Sequence, residues 1–133
     1  MQPNTHLAMS ARLCGTPISL APSASEVELV TREEMAADAR GLVHGGFVFG
    51  LADYAAMLAI NEPNVVLGAA EVRFLAPVVV GDTLRARAQS APPDGKKLRV
   101  TVEVVRGLEP VFSGSFVCFV PAQHVLEGRQ ATR

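Results

Sequence analysis

"GLVHGGFVFGLADYAAMLAIN", residues 41–61, decides the fold. From Gly45 onward every position is apolar or glycine except Asp53, Tyr54 and the closing Asn61. At helical spacing Gly46, Phe49, Gly50, Met57 and Ile60 share the stripe of Asp53, while Val48, Leu51, Ala55 and Leu58 fall on the far side. A helix that is oily all round is one enclosed by the rest of its protein. Over residues 45–61 it would run about 25 Å, but a central carboxylate and strand-rich flanks argue against a membrane span. Pro63 cannot continue it, and Glu62 before that proline is pushed out of the helical region.

Working outward, "SEVELVT" (25–31) alternates Val27 and Leu29 with Glu26 and Glu28, the period of a half-buried strand. Downstream, "VVLGAAEVRFL" (65–75) reads as a long strand with Gly68, Ala70, Val72 and Phe74 on the inner face. "DTLRARAQS" and "LRVTVEVV" alternate on either side of the turn-forming "PPDGKK", which predicts an antiparallel hairpin, and "VFSGSFVCFV" supplies a last strand with Phe112, Gly114, Phe116 and Cys118 on one face. The string is strand, helix, then four strands. One helix covers such a sheet only if the sheet curls around it, so the expectation is a single α+β domain over 1–133, its core at about 15–120, with mobile tails at both ends.

Twelve basic against thirteen acidic residues leave a net charge of -1, with no basic run, so the footprint of a nucleic-acid binder is missing. Cys14 and Cys118 lack metal or redox spacing, and no secretory leader is visible, which makes a reducing, cytoplasmic setting the default. No G-x-S-x-G elbow, Walker loop, dinucleotide fingerprint or metal-ligand cluster occurs.

What remains is one acid and oriented amides. An unpaired buried carboxylate is costly when ionised, so Asp53 must be hydrogen-bonded, protonated or facing a cleft. Gly45 and Gly46 fall at the helix start, where N–H groups lack intrahelical acceptors and a ligand can approach the backbone, a place suited to a developing oxyanion. Gly46 and Gly50 each cost about 1 kcal/mol in a helix relative to alanine, so something must come close there. Candidates for lining a pocket are Phe47, Phe49, Tyr54 and Met57. Lys96, Lys97 and Arg106 are cations suited to meeting phosphates.

"HGGFVFGLADYAAMLAIN" followed by "EVRFLAPVVVGDTLRARAQ" resembles the phenylacetate-pathway (PaaI-type) branch of the hotdog-fold acyl-CoA thioesterases, over about residues 15–120. The resemblance implies an antiparallel sheet of five or six strands around the central helix, in homodimers joined sheet edge to sheet edge and often assembled into homotetramers. It also implies an acyl-CoA substrate, no cofactor beyond the coenzyme A of that substrate, and no metal. Carried over, the Gly46 amide would hold the thioester carbonyl oxygen and His44 would shape the loop. Asp53 of the other subunit would activate water or attack the carbonyl.

Two positions depart from the family pattern. Asp38 stands where asparagine is frequent, as a second acid near the site or a loop cap. Gly68 stands where serine or threonine is frequent, which predicts a roomier pocket beside it. These departures leave a non-catalytic acyl-CoA-binding or sensing module as the alternative. Enoyl-CoA hydration is a more remote one, because His44 and Asp38 offer the residue types at the wrong spacing.

Overall fold

A computed structural model describes residues 1–128. The long helix, α2 (Gly45–Ile60), matches the expected span to within one residue. Asn61 ends it in the left-handed region (φ 56°), its N–H on the Met57 carbonyl at 2.8 Å. Six strands surround the helix rather than the five that periodicity shows: β1 (Thr16–Ala21), β2 (Ala24–Val30), β3 (Val66–Phe74), β4 (Thr83–Ser90), β5 (Leu98–Arg106) and β6 (Glu109–Phe119). They form one antiparallel sheet in the order β1-β2-β4-β5-β6-β3, so the strand that leaves the helix crosses to the far edge. The additional strand, β1, is a mostly exposed edge with Pro17 and a register break between Pro17 and Ser19, so it has no inner face to show a period of two.

The alternation read in β2, β4, β5 and β6 holds. Val27, Leu29, Leu84, Ala86, Val100, Val102, Val104, Phe112, Phe116 and Cys118 are buried against α2. The helix answers with Leu51, Leu58 and a run of alanines, 52, 55, 56 and 59, whose small side chains let the sheet close in. There the Ser25 hydroxyl donates to the Ala55 carbonyl at 2.6 Å.

Edge strand β3 is where the regular reading fails. A bulge lies between Leu67 and Ala69, so Leu67, Ala70, Val72 and Phe74 pair across inner-face partners, and Gly68 is the inserted residue. A Cβ on Gly68 would lie 2.3 Å from the Phe119 ring. The expectation of an inner-face Gly68 beside a roomy pocket is therefore corrected: the bulge turns it toward Phe119, whose ring takes the space.

Before the sheet, a short helix α1 (Ala11–Cys14), N-capped by Ser10, packs on α2 with Met9, Leu13 and Cys14 against the core. The first residues were expected as a loose tail, yet they are fastened. Asn4 N–H donates to Asn61 Oδ1 at 2.7 Å, Asn61 Nδ2 donates to the Gln2 carbonyl at 3.0 Å, and Thr5 is buried. Gly15 joins α1 to β1 at φ 104°, and a Cβ there would sit 2.8 Å from Val27 Cγ1 and 2.9 Å from the Glu28 carbonyl oxygen. Backbone strain and a clash against main chain add, so Gly15→Ala is expected to lose about 2–4 kcal/mol and about 10 °C in Tm, read by thermal unfolding. The loose tail expected beyond Pro121 falls partly on residues 129–133, outside the described residues. No helix among the described residues is long and apolar enough to cross a membrane.

Candidate active site

The start of α2 is held by a stitched loop. Ala36 bridges Val43, Leu42 bridges Val79, the Val43 N–H reaches the Val78 carbonyl at 2.8 Å, and the His44 N–H reaches the Met35 carbonyl at 2.9 Å. Asp38 belongs to this loop: its Oδ1 accepts from the Arg40 N–H at 2.9 Å and the Leu42 N–H at 3.2 Å. Of its two expected roles it fills that of a loop cap, an exposed carboxylate closing an Asx turn. No hydrogen bond links it to His44 among the described residues, so the acid–imidazole pair of a hydratase is not assembled.

His44 occupies the N-cap with extended backbone and no side-chain cap bond. Its exposed ring lies over Gly46, where a Cβ would come within 3.0 Å of Cδ2, and meets Phe47 edge-on at 6.3 Å. Gly45 backs onto Phe74, 3.1 Å from where its Cβ would be. The amides of Gly45 and Gly46 thus fall in the first turn, where the helix provides no acceptor, and Gly46 is open to solvent. An apolar groove of about 330 Å³ runs past this point between Leu42, Val48, Phe74 and Pro77.

Two turns further along the same stripe sits Asp53. Its Oδ1 is out of solvent and has no hydrogen-bond partner, and desolvation pushes the carboxyl up to about 6. The Cys118 thiol on β6 is pushed up to about 11, chiefly by burial and further by the charge of Asp53. Cys14 on α1 is raised for the same two reasons, which makes α1 a neighbour of the acid. Nothing in the sequence pattern places that four-residue helix there; the contact is long-range and α1 carries no motif.

Three of the residues named as pocket candidates pack within the chain. Met57 is 1% exposed in the core, Phe49 packs against Phe116 at 5.6 Å, and Tyr54 is buried with its ring 6.5 Å from that of His6. Phe47, half-buried beside His44, remains at the helix start. Arg106 donates to Pro77 O and Asp82 Oδ2, each at 2.8 Å, and pairs with Glu109. Lys96 and Lys97 are exposed at the β4–β5 turn. No cluster of three or more His, Cys, Asp or Glu among the described residues could hold a metal. A concavity of about 1050 Å³ lies on the outer face of the sheet and includes none of the Asp53 group.

A curled six-stranded antiparallel sheet around one helix, with His-Gly-Gly at its start and an acid two turns on, defines a hotdog-fold thioesterase domain. The thioesterase superfamily model matches residues 40–111. An uncharacterized protein of Pyrococcus horikoshii, PH1136, superposes with a TM-score of 0.93 at 55% identity, covering 95% of this chain and 97% of that one. The E. coli PaaI protein of the phenylacetic acid degradation operon superposes with a TM-score of 0.71 at 27% identity, over 77% and 80% of the two chains. The chain is also 50% identical, over 87% of its own length and 25% of the other, to a protein named methylthioribose-1-phosphate isomerase of Aquifex aeolicus. It is 30% identical to the transcription factor FapR of Caldanaerobacter subterraneus, over 68% of its own length and 46% of the other. It thus spans less than half the length of these curated relatives. The chain belongs to the thioesterase superfamily, in its PaaI-type hotdog branch.

Proposed function

We propose that this domain hydrolyses acyl-CoA thioesters at a site made by two copies of the chain. The observation that carries the reading is Asp53: a carboxylate kept in apolar surroundings, with one oxygen unpartnered and its pKa raised to about 6. Such a group is poised as a base near neutrality. Seven residues separate it from Gly46, about 10 Å along a helix. That is too far for one chain to hold a carbonyl on the Gly46 amide and deliver water to it from Asp53, since reacting atoms must lie about 3 Å apart. A second copy supplies the missing partner. Gly50, midway on the same stripe, supports this, because nothing in its own chain comes within 4 Å of where a Cβ would be.

In the reaction Asp53 takes a proton from water, the hydroxide adds to the thioester carbon, and the oxyanion is held by the Gly46 N–H. The C–S bond then breaks, and the thiolate leaves with the proton from Asp53. If Asp53 is instead the nucleophile, the same amide serves the same oxygen. His44 shapes the loop around it, and the groove beside Phe74 receives apolar substrate.

A second reading, an acyl-CoA-sensing module without hydrolysis, draws on the likeness to a transcription factor. Thiol release from aromatic, short-chain and medium-chain acyl-CoA esters separates the two. Hydrolysis is expected, with kcat/KM rising as Asp53 ionises through an apparent pKa near 6. Saturable binding of these esters with no thiol released would favour the sensor.

A further inference from the structure

The chain has two cysteines, both free and far apart in sequence, and the fold brings both to the neighbourhood of Asp53. Cys118 comes from the sheet. Phe116 on β6 meets Phe49 on α2 at 5.6 Å between ring centres. Two residues further along that face of β6 is Cys118, and four residues further along α2 is Asp53, advances of about 7 Å and about 6 Å. Cys14 comes from α1, on the other flank. Gly15 beside it abuts Leu51, a Cβ there standing 3.1 Å from Leu51 Cδ1. Burial first and then Cys14 push the Tyr54 hydroxyl up, which sets the thiol near the residue that follows Asp53. With a thiol on either flank, Asp53 Oδ1 is sealed from solvent and accepts no hydrogen bond. The three groups do not form a metal site.

We infer that Cys14 and Cys118 are positioning residues for the acid, two small side chains of weak hydrogen-bonding power that enclose it from either flank and keep Oδ1 free of both water and donor. The inference rests on the hydrolytic role proposed above for Asp53 and adds the residues that keep it a base.

Size and polarity together select a thiol. A serine hydroxyl is a strong donor, and each donor that a carboxylate accepts from stabilises its charged form and weakens it as a base. Alanine leaves part of the space unfilled, and larger apolar side chains strain a packed core. Cysteine behaves as a small hydrophobe whose S–H donates weakly. The same core does use a hydroxyl elsewhere: Ser25 is buried on β2 and donates to the Ala55 carbonyl at 2.6 Å. A hydroxyl stands where the backbone takes a donor, and thiols stand where the acid goes without one.

No other group competes for the role. Among the described residues no salt bridge reaches Asp53, and desolvation alone accounts for its raised pKa. The titratable groups around it are Cys14 on α1, Cys118 on β6 and Tyr54 on α2, with His6 of the N-terminal segment beyond, its ring 6.5 Å from that of Tyr54. The sheet's charges stand on its outer face, as Glu26, Arg73, Arg87 and Glu103 do around the concavity there. His44 of the second copy, which a two-copy site brings near, is common to every variant below and cancels in the comparison.

The test titrates Asp53 directly. Carboxyl-carbon NMR of labelled protein follows its ionisation, assigned by the resonance missing from Asp53→Asn, and the pH profile of kcat/KM follows the same event in turnover. Cys14→Ser supplies a donor, directly or through a bridging water, and is expected to move both midpoints down by about one unit and lower the plateau rate about threefold. Cys14→Ala removes the thiol without supplying a donor and should move them by less than half as much. Cys118→Ser and Cys118→Ala should repeat the pattern. Cys14 is only half-buried, so its variants decide alone if a buried change at Cys118 prevents folding. Equal shifts in the serine and alanine variants would reduce the thiols to fillers of space and overturn the inference, as would midpoints that stay in place in both. The NMR titration decides this even if the wild type releases no thiol, an outcome that counts against the hydrolytic reading alone.

Discussion

Asp53→Asn is expected to lose at least about two orders of magnitude in kcat/KM while folding more stably than the wild type. The two effects have one cause. Desolvation raises the carboxyl from its ordinary value to about 6, so at neutral pH the fold holds a charge it disfavours. A rise from 3.8 to about 6 corresponds to about 3 kcal/mol, and because water still reaches part of this side chain, about 1–2 kcal/mol is the expected gain on neutralising it. The sign fixes the pH dependence. The native state binds the proton more tightly than the unfolded chain does, so the protonated acid's stabilising contribution is complete below about pH 4 and is lost as pH rises through about 6. The stability advantage of the asparagine variant should therefore be small at pH 4, grow between pH 4 and 7, and level off above. Urea unfolding of both proteins across that range measures it. Turnover unchanged by the substitution would remove Asp53 from the chemistry, and a pH-independent stability difference would contradict its raised pKa.

Gly46→Pro is expected to lose about 10²- to 10³-fold in kcat by removing the N–H assigned to the oxyanion. Proline is tolerated in the first turn of a helix, so α2 should survive the change. Any residue larger than glycine also pushes on the His44 ring, 3.0 Å from where a Cβ would stand. Gly46→Ala displaces that ring while keeping the amide and is the control. Its kcat should stay well above that of the proline variant. Equal losses in the two would mean that His44, rather than the amide, carries the effect.

The fold was legible where burial imposes a period. The helix span, the alternation of β2, β4 and β5, and the inner face of β6 all follow from side chains that must meet one core. β1 escaped because a mostly exposed edge strand has no such constraint, and the bulge escaped because a period of two assumes that no residue is inserted. The site was half legible. Asp53 stood out as a charge among oil, and the His-Gly-Gly marked the open amides. The packing of Tyr54 and Met57 was not legible, because helical periodicity says which stripe a residue occupies, not what covers it. Here the N-terminal segment brings His6 over Tyr54, a contact between residues 48 positions apart. Arg106 was drawn toward substrate by its charge and Asp38 by the family resemblance, while in the structure Asp38 caps a loop and Arg106 ties the β4 and β6 entries.

In the proposed site the acid and the amide meet between copies. Mixing Asp53→Asn with Gly46→Pro tests it most directly. Each variant alone is nearly inactive, and each chain carries one defect, so a site within one chain can never be whole. In a mixed dimer with sites between chains, one of the two sites joins an intact Asp53 to an intact Gly46 amide. Random exchange makes half of the dimers mixed, so the mixture should recover about a quarter of wild-type thiol release. A mixture that exchanges subunits yet stays as inactive as its components would contradict the shared site.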